Sequence, residues 1–296
     1  MKIATWNVNS LKVRLYQLLD WLDANRPDVL CLQELKMEDK AFPEAEIRAA
    51  GYYAAYSGQK TYNGVAILAS SPPENVTCGI PGFNDVSIHA RNRATTTLGR
   101  GYVSPKRDSP PEGGGFKPEL VFDEQKRLIA ATVGGLRIVC GYFPNGQTPG
   151  SEKFAYKMAW LDALTRWLST EALPAHPNLV LAGDFNIAPE AADTHPEWKG
   201  EILVSPPERA AFRALVECGL IDSFRLFEQP EQSYTWWDYR MGSFRRNFGM
   251  RIDHILVSSA LRNLCRACTV DKTPRKLERP SDHTPVVLEL DWPHNH

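Results

Sequence analysis

The sequence predicts a layered α/β sandwich built as one domain, on three observations. Short apolar, β-branched runs recur, and several stop at an acid, an amide or a histidine. Segments with apolar residues at helical spacing lie between them, and no break in composition divides the 296 residues. Such runs read as strands covered on both faces or packed sheet to sheet. Their alternation with helices stacks sheets and helices in layers, although strand order is not legible at this level.

In chain order, Ile3-Ala4-Thr5-Trp6 runs into Asn7 and Asn9, and Val29-Leu30-Cys31-Leu32 into Gln33 and Glu34. Ile138-Val139-Cys140-Gly141 runs into Tyr142 and Asn145, and Leu179-Val180-Leu181-Ala182-Gly183 into Asp184 and Asn186. Thr235-Trp236-Trp237, Ile252 to Val257 and Thr284 to Leu290 supply further strands. Between the first two runs, Ser10 to Asn25 sets Leu11, Leu15, Leu18, Leu19 and Leu22 on one stripe, with Asn9 or Ser10 as cap and Pro27 as stop. A second helix runs from about Glu152 to Ser169, with Phe154, Met158, Leu161, Leu164 and Leu168 facing the core. Ser205-Pro206-Pro207-Glu208 is a capping box with proline at the first helical position, and Gly219 is a natural stop for that helix.

Composition removes several classes. Hydrophobic residues at 43% and eight tryptophans supply a sizeable core, which excludes a disordered or low-complexity chain. With 34 Lys and Arg against 35 Asp and Glu the net charge is −1, so a polyanion would have to be held by local patches. No run approaches the roughly 18 apolar residues of a membrane span. The start, Met1 to Asn7, is too short and soon too polar for a signal sequence, so a cytoplasmic protein is expected. Six cysteines are too sparse for a disulfide scaffold, and Cys265-Arg-Ala-Cys268 lacks a second pair or a following histidine at zinc spacing. That pair reads as incidental burial ahead of metal or redox use.

One stretch breaks the rhythm. From about Asn84 to Leu120 there is no clear period, Arg and Lys outnumber the acids, and Pro110-Pro111 and Gly113-Gly114-Gly115 deny regular structure. It reads as a long basic loop, either near a polyanionic substrate or peripheral and solvated.

If the strand ends converge at one edge, as sites on layered sheets commonly do, they collect Asn7, Asn9, Glu34, Tyr142, Asn145, Asp184, Asn186, Asp253, Asp282 and His283. Nearly all are hard oxygen groups, which suit Mg²⁺ or Mn²⁺. A cation, a carboxylate to position water, and uncharged or cationic donors to hold a phosphate form the set for in-line phosphodiester hydrolysis. Asp282 and His283 are adjacent and point to opposite faces, so Asp253 is the expected partner of His283. Singly, each motif also reads as something plainer: Gly183 to Asn186 as a strand-to-turn junction, Ser281-Asp282-His283 as a turn or cap, Glu34 as a solvated strand end. Recurrence of one chemistry at independent strand ends favours the joint site.

These residues also carry a resemblance. Ala4 to Leu11 (ATWNVNSL), Leu32 to Lys36 (LQELK), Tyr62 to Leu68 (YNGVAIL), Gly141 to Gly146 (GYFPNG), Gly183 to Pro189 (GDFNIAP), Arg251 to Leu256 (RIDHIL) and Ser281 to Pro285 (SDHTP) stand in the order seen in exonuclease III. Over nearly its whole length the chain resembles the bacterial exonuclease III and AP-endonuclease branch of the endonuclease/exonuclease/phosphatase superfamily. The resemblance implies a four-layer α/β sandwich, two packed mixed β-sheets flanked by helices, spanning 1–296 with the insertion at about 84–120. It implies 3′ to 5′ exonuclease and 3′-end cleaning activity, and cleavage 5′ to an abasic site in double-stranded DNA, by a monomer in the bacterial cytosol using Mg²⁺, with Mn²⁺ able to substitute.

By the same resemblance, Glu34 is similar to the principal metal ligand, with Asn7 and Asp282 nearby. Asp184 matches the aspartate that orients or deprotonates water, and Asn186 positions that water. Tyr142, Asn145 and His283 match phosphate-contacting groups, and Asp253 the carboxylate behind the histidine. Asn9 joins the substrate-binding set. Trp236 falls where the family has an aromatic wall of the abasic-site pocket, and one of Trp236 and Trp237 is expected in the core. Arg240 and Arg251, with Arg245 and Arg246 near them, offer cations for phosphates. The rival expectations are a phosphatase or sphingomyelinase-type phosphodiesterase of the same superfamily, and a catalytically inactive DNA-binding homologue.

Overall fold

In the computed structural model, which describes residues 1–83 and 125–293, twelve strands form two six-stranded mixed sheets. The insertion expected at about 84–120 lies outside the described residues. The first sheet uses β1 (Lys2–Asn7), β2 (Val29–Gln33), β3 (Tyr53–Ser57), β4 (Val65–Ala69), β11 (Cys265–Val270) and β12 (Val286–Leu290), in the order β11-β12-β1-β2-β4-β3. The second uses β5 (Glu74–Cys78), β6 (Leu128–Val133), β7 (Leu136–Tyr142), β8 (Leu179–Asp184), β9 (Leu220–Asp222) and β10 (Asp253–Ser258), in the order β5-β6-β7-β8-β10-β9.

Period-two alternation explains why these runs carry almost no polar residues. In β2, Cys31 faces the other sheet while Leu30 and Leu32 face the first helix layer. In β8, Val180 and Ala182 enter the inter-sheet core while Leu179 and Leu181 meet helices on the outside. A strand covered on both faces must be apolar on both, and this is the observed pattern.

The outer layers are α1 (Leu11–Asn25) on the first sheet, and α3 (Glu152–Trp167) and α4 (Pro206–Glu217) on the second. A short α2 (Glu44–Ala49) precedes β3. Both bonds of the Ser205/Glu208 capping box form, and Gly219 takes φ 114° after α4. Two expectations about helices are corrected. Ser10 makes no side-chain cap. Instead the Ser10 and Leu11 amides donate to the carbonyls of Glu34 and Leu35 at 2.8 and 3.1 Å, which ties the start of α1 to the end of β2. In α3 Phe154, Leu161 and Leu164, and Leu168 at its C-cap, are buried as expected, but Met158 is only partly so, while Lys157 beside it is fully buried.

Thr235-Trp236-Trp237 is not a strand. Trp236 exchanges amide bonds with Met250, while the Trp237 amide donates to Asp282 and the Thr284 amide to Thr235. The segment spends its hydrogen bonds on two neighbours in turn, so no ladder develops. Cys265 and Cys268 sit buried in β11 as free thiols within the inter-sheet core, in keeping with incidental burial. Among the described residues no helix is long and apolar enough to cross a membrane.

Topology decides where the polar strand ends go. β1 pairs with β2 in parallel and β7 with β8 in parallel, so Asn7, Glu34, Tyr142 and Asp184 leave the sheets at one edge. β10 and β12 run antiparallel to these pairs and therefore enter at the same edge, bringing Asp253 and His283.

Candidate active site

Two glycines let the β7 and β8 ends close on one another. A Cβ at Gly183 would lie 1.9 Å from the Gly141 carbonyl oxygen, so only glycine permits this approach. The next register pair is Tyr142 and Asp184. On the other sheet Glu34 follows β2 with φ 53°, and Asn9 and Ser10 follow β1 at 45° and 90°. Asn186 stands at 50°. Positive φ at non-glycine residues is costly and is held here by the surrounding bonds.

The side chains meet as one network. Asn7 Nδ2 donates to Glu34 Oε1 and Asp184 Oδ2, both at 2.9 Å, and so bridges the two sheets. The Tyr142 hydroxyl donates to Glu34 Oε1 at 2.9 Å, and Lys36 pairs with Glu34 Oε2 at 2.9 Å. Asp184 Oδ1 accepts the Asn186 amide at 2.9 Å. Asn186 Nδ2 donates to Asp184 Oδ2, and Asn145 Nδ2 to Asn186 Oδ1 at 3.1 Å. His283 Nδ1 sits 2.9 and 3.1 Å from the Asp253 oxygens, while its Nε2 lies 3.8 Å from Asp184 Oδ2.

Electrostatics divides the carboxylates by role. Burial, opposed by the His283 charge and helped by Asp253, pushes Asp184 up to about 7. Burial would lower His283, but Asp253, Asp184 and Asp282 outweigh it and hold the imidazole up at about 10. Burial and the charges of Glu34 and Asp184 raise the Tyr142 hydroxyl well above its ordinary value, so it stays a neutral donor. Asp282 is lowered despite burial, because His283, Trp236 and Asn9 favour its charged form.

Glu34, Asp184 and His283 present ligand atoms that all lie within 4.8 Å of one another. With His283 held protonated by Asp253, the free ligands are the oxygens of Glu34 and Asp184, a donor set that fits a hard divalent cation. Of the three residues expected at the metal, Glu34 belongs to that cluster. Asn7 turns its amide nitrogen to both carboxylates, and Asp282 lies outside, held by Asn9 Nδ2 at 2.8 Å and Trp236 Nε1 at 3.0 Å. Asn9 Nδ2 also reaches the Tyr239 hydroxyl, and its Oδ1 accepts from Lys36.

At the border of the network Asn145 is exposed and Tyr142 partly so. A cleft of about 500 Å³ opens there, lined by Tyr62, Arg127, Tyr142, Asn145 and Lys153 among others. Trp237 is fully buried, so one of the two lies in the core, as expected, and Trp236 is partly exposed and bridges to His283. Arg240 is exposed and pairs with Asp238 through Nη2 at 2.6 Å. Arg251 corrects the expectation of a surface cation. It is 1% exposed and bonds Asp193 at 2.7 Å and Asp222 at 2.8 Å, so it joins the loop after β8 to β9 from the inside.

Sequence reading passed over Lys36 and Lys157. Lys36 stands in the quoted LQELK motif next to the metal cluster. Lys157 was legible as a charge between Phe154 and Leu161 on an apolar stripe.

Residues 4–283 match the model of the Endonuclease/Exonuclease/phosphatase family. The chain is 33% identical to exodeoxyribonuclease III of Haemophilus influenzae over 98% of this chain and 100% of that one. It is 32% identical to the DNA repair nuclease APEX1 of Danio rerio, covering 98% of this chain and 82% of that one. Among solved structures, the 3′ phosphatase NExo from Neisseria, bound to a product DNA hairpin, superposes with TM-score 0.82 at 43% identity, over 99% of this chain and 100% of that one. An AP endonuclease from Archaeoglobus fulgidus gives 0.81 at 34% identity, over 98% and 99%.

Proposed function

The chain belongs to the endonuclease/exonuclease/phosphatase family, and from that premise we propose that it is a Mg²⁺-dependent DNA repair nuclease. It hydrolyses the phosphodiester backbone of double-stranded DNA as an exodeoxyribonuclease III, with 3′ to 5′ exonuclease and AP-endonuclease activity. Its substrates are duplexes with abasic sites or blocked 3′ ends, and Mn²⁺ substitutes for Mg²⁺. The reading extends to a monomer at work in the bacterial cytosol, built as one domain over 1–296. The observation that carries it is the meeting of Glu34, Asp184 and His283 within 4.8 Å at one sheet edge, with Trp236 at its rim.

Glu34 and Asp184 would hold the cation, which when bound supplies positive charge for the phosphate and its leaving oxygen. Asp184, whose carboxylate is held by the Asn186 amide and side chain, can accept a proton from water. Asn186, bonded to both Asp184 oxygens, fixes where that water sits. His283, kept charged by Asp253, donates toward the phosphate oxygens as negative charge gathers on them. The Tyr142 hydroxyl and the Asn145 amide add uncharged donors, which hold phosphate without the repulsion that further carboxylates would bring. Trp236 offers a flat apolar wall for a displaced sugar, and Asn9 and Arg240 contribute at the margin. Asp253, bonded to Nδ1, fixes one edge of the ring and so gives the imidazolium one direction.

A superfamily phosphatase acting on inositol phosphates or a sphingomyelinase-type enzyme would use similar equipment on small or lipid substrates. Trp236 and the exposed Arg240, Arg245 and Arg246 beside it favour a polymer with flat apolar and anionic parts. The separating experiment offers the protein an abasic-site duplex, an undamaged blunt duplex and inositol phosphates in Mg²⁺. Incision 5′ to the abasic site and nucleotide release from the blunt 3′ end are expected. Turnover of the inositol phosphates with intact DNA would overturn the reading.

A further inference from the structure

We infer that Lys157 is a positioning residue for the hydrolysis, setting the distance between Asn145 and Asn186 through their main-chain carbonyls; the inference rests on the nuclease reading above. Lys157 lies in the middle of α3 with its side chain fully buried. An ammonium has three protons to donate, and here each has its own acceptor. Nζ bonds Glu208 Oε1 at 2.5 Å, the Asn186 carbonyl at 2.7 Å and the Asn145 carbonyl at 3.2 Å. The two asparagines belong to different loops, one after β7 and one after β8, and their side chains meet at 3.1 Å over Asp184.

The chain is wrapped tightly around this lysine. A Cβ on Gly146, at φ 81°, would lie 2.6 Å from Lys157 Cδ. Ser151, the cap of α3, donates to the Gly146 carbonyl at 3.1 Å while accepting the Phe154 amide. On the far side, Glu208 Oε2 accepts from the Ser205 amide and hydroxyl at the head of α4. One buried cation thus pins two loops of the site to the body of α3 and the start of α4.

A buried ion pair is a poor way to gain stability, since apolar residues of equal volume often do as well or better. What an apolar side chain cannot do is bind two carbonyls at fixed positions. With Lys157 gone, the 145–146 and 186–187 loops lose their common anchor. Asn186 then no longer holds water against Asp184 in one place, and a displacement of order 1 Å costs rate more than binding.

The test replaces both charges, Lys157→Met with Glu208→Leu, so that neither is left buried alone. Thermal melting checks the fold, and kcat and KM on the abasic duplex are measured beside the parent protein. The expected result is a folded protein with kcat down tenfold or more and KM within about threefold of the parent. Lys157→Gln, whose shorter side chain brings two donors to three acceptors and so cannot bind Glu208 and both carbonyls together, carries the same expectation if the double variant does not fold. Parental kcat in a folded variant overturns the inference, as does a loss that only tracks the folded fraction. A parent protein that leaves DNA intact would instead refute the nuclease reading, so the two failures are distinguishable.

Discussion

Asp184 Oδ2 and His283 Nε2 face each other at 3.8 Å, one at the end of β8 and the other just before β12, on different sheets. The gap is too long for a direct hydrogen bond and short enough for strong mutual bias of their charges. Asp253 holds the opposite edge of the ring, so the imidazole is aimed across the cleft between the sheets.

The first prediction concerns pH. Asp184 must be a carboxylate to accept a proton, and His283, held up at about 10 by Asp253 and Asp184 against its burial, must keep its proton to donate. The rate on DNA should therefore hold through neutral pH and fall on the alkaline side toward 10. Asp253→Asn removes the charge that favours the imidazolium, so the alkaline limb should move to lower pH. An alkaline limb that stays in place would contradict the role given to Asp253.

Asp184→Asn should cut kcat by about 10²- to 10⁴-fold, the range typical of losing a general base. Duplex affinity, read by anisotropy in Ca²⁺, should stay the same or tighten, because a negative charge leaves the phosphate site. Near-normal turnover would remove Asp184 from the chemistry.

Adjacent tryptophans should behave oppositely. Trp237, fully buried against Phe244, is part of the packing, and Trp237→Ala should cost about 3–5 kcal/mol in denaturant unfolding. Trp236→Ala should leave the unfolding midpoint close to the parent and raise KM for the abasic duplex by about tenfold, in line with the loss of one aromatic stacking surface. Equal stability losses in the two variants would contradict the assignment of Trp236 to substrate.

Arg251→Met leaves Asp193 and Asp222 without their shared cation, so a loss of about 3–5 kcal/mol in stability is expected. The salt dependence of duplex binding should not change, since a cation inside the protein releases no counterions from DNA. Removing Arg245 and Arg246, which are exposed, should flatten that dependence. A flatter salt slope for Arg251→Met would return that residue to the DNA surface.

How much of this was legible beforehand follows from which signals are local. Strands such as β2 and β8 and the capped start of α4 announce themselves in consecutive residues, so the elements were readable while the order of the strands was not. The pairing of His283 with Asp253 was readable too, because neighbours along a strand cannot share a face and Asp282 was thereby excluded. Arg251 misled because a charge three residues from His254 looks like any other surface cation; its partners, Asp193 and Asp222, are brought to it by tertiary folding alone. The exposed β5, the small β9 and the crossing at Trp236 were missed for the same reason: a short segment that divides its hydrogen bonds, or pairs along one edge, leaves no periodic trace.

The most direct measurement is the yield of strand breaks on a duplex bearing one abasic-site analogue, first in EDTA and then after addition of excess Mg²⁺. The oxygen donors of Glu34 and Asp184 predict no incision in chelator and full incision, 5′ to the lesion, once the cation is restored. Full incision in EDTA, or an intact duplex in Mg²⁺, would contradict the account.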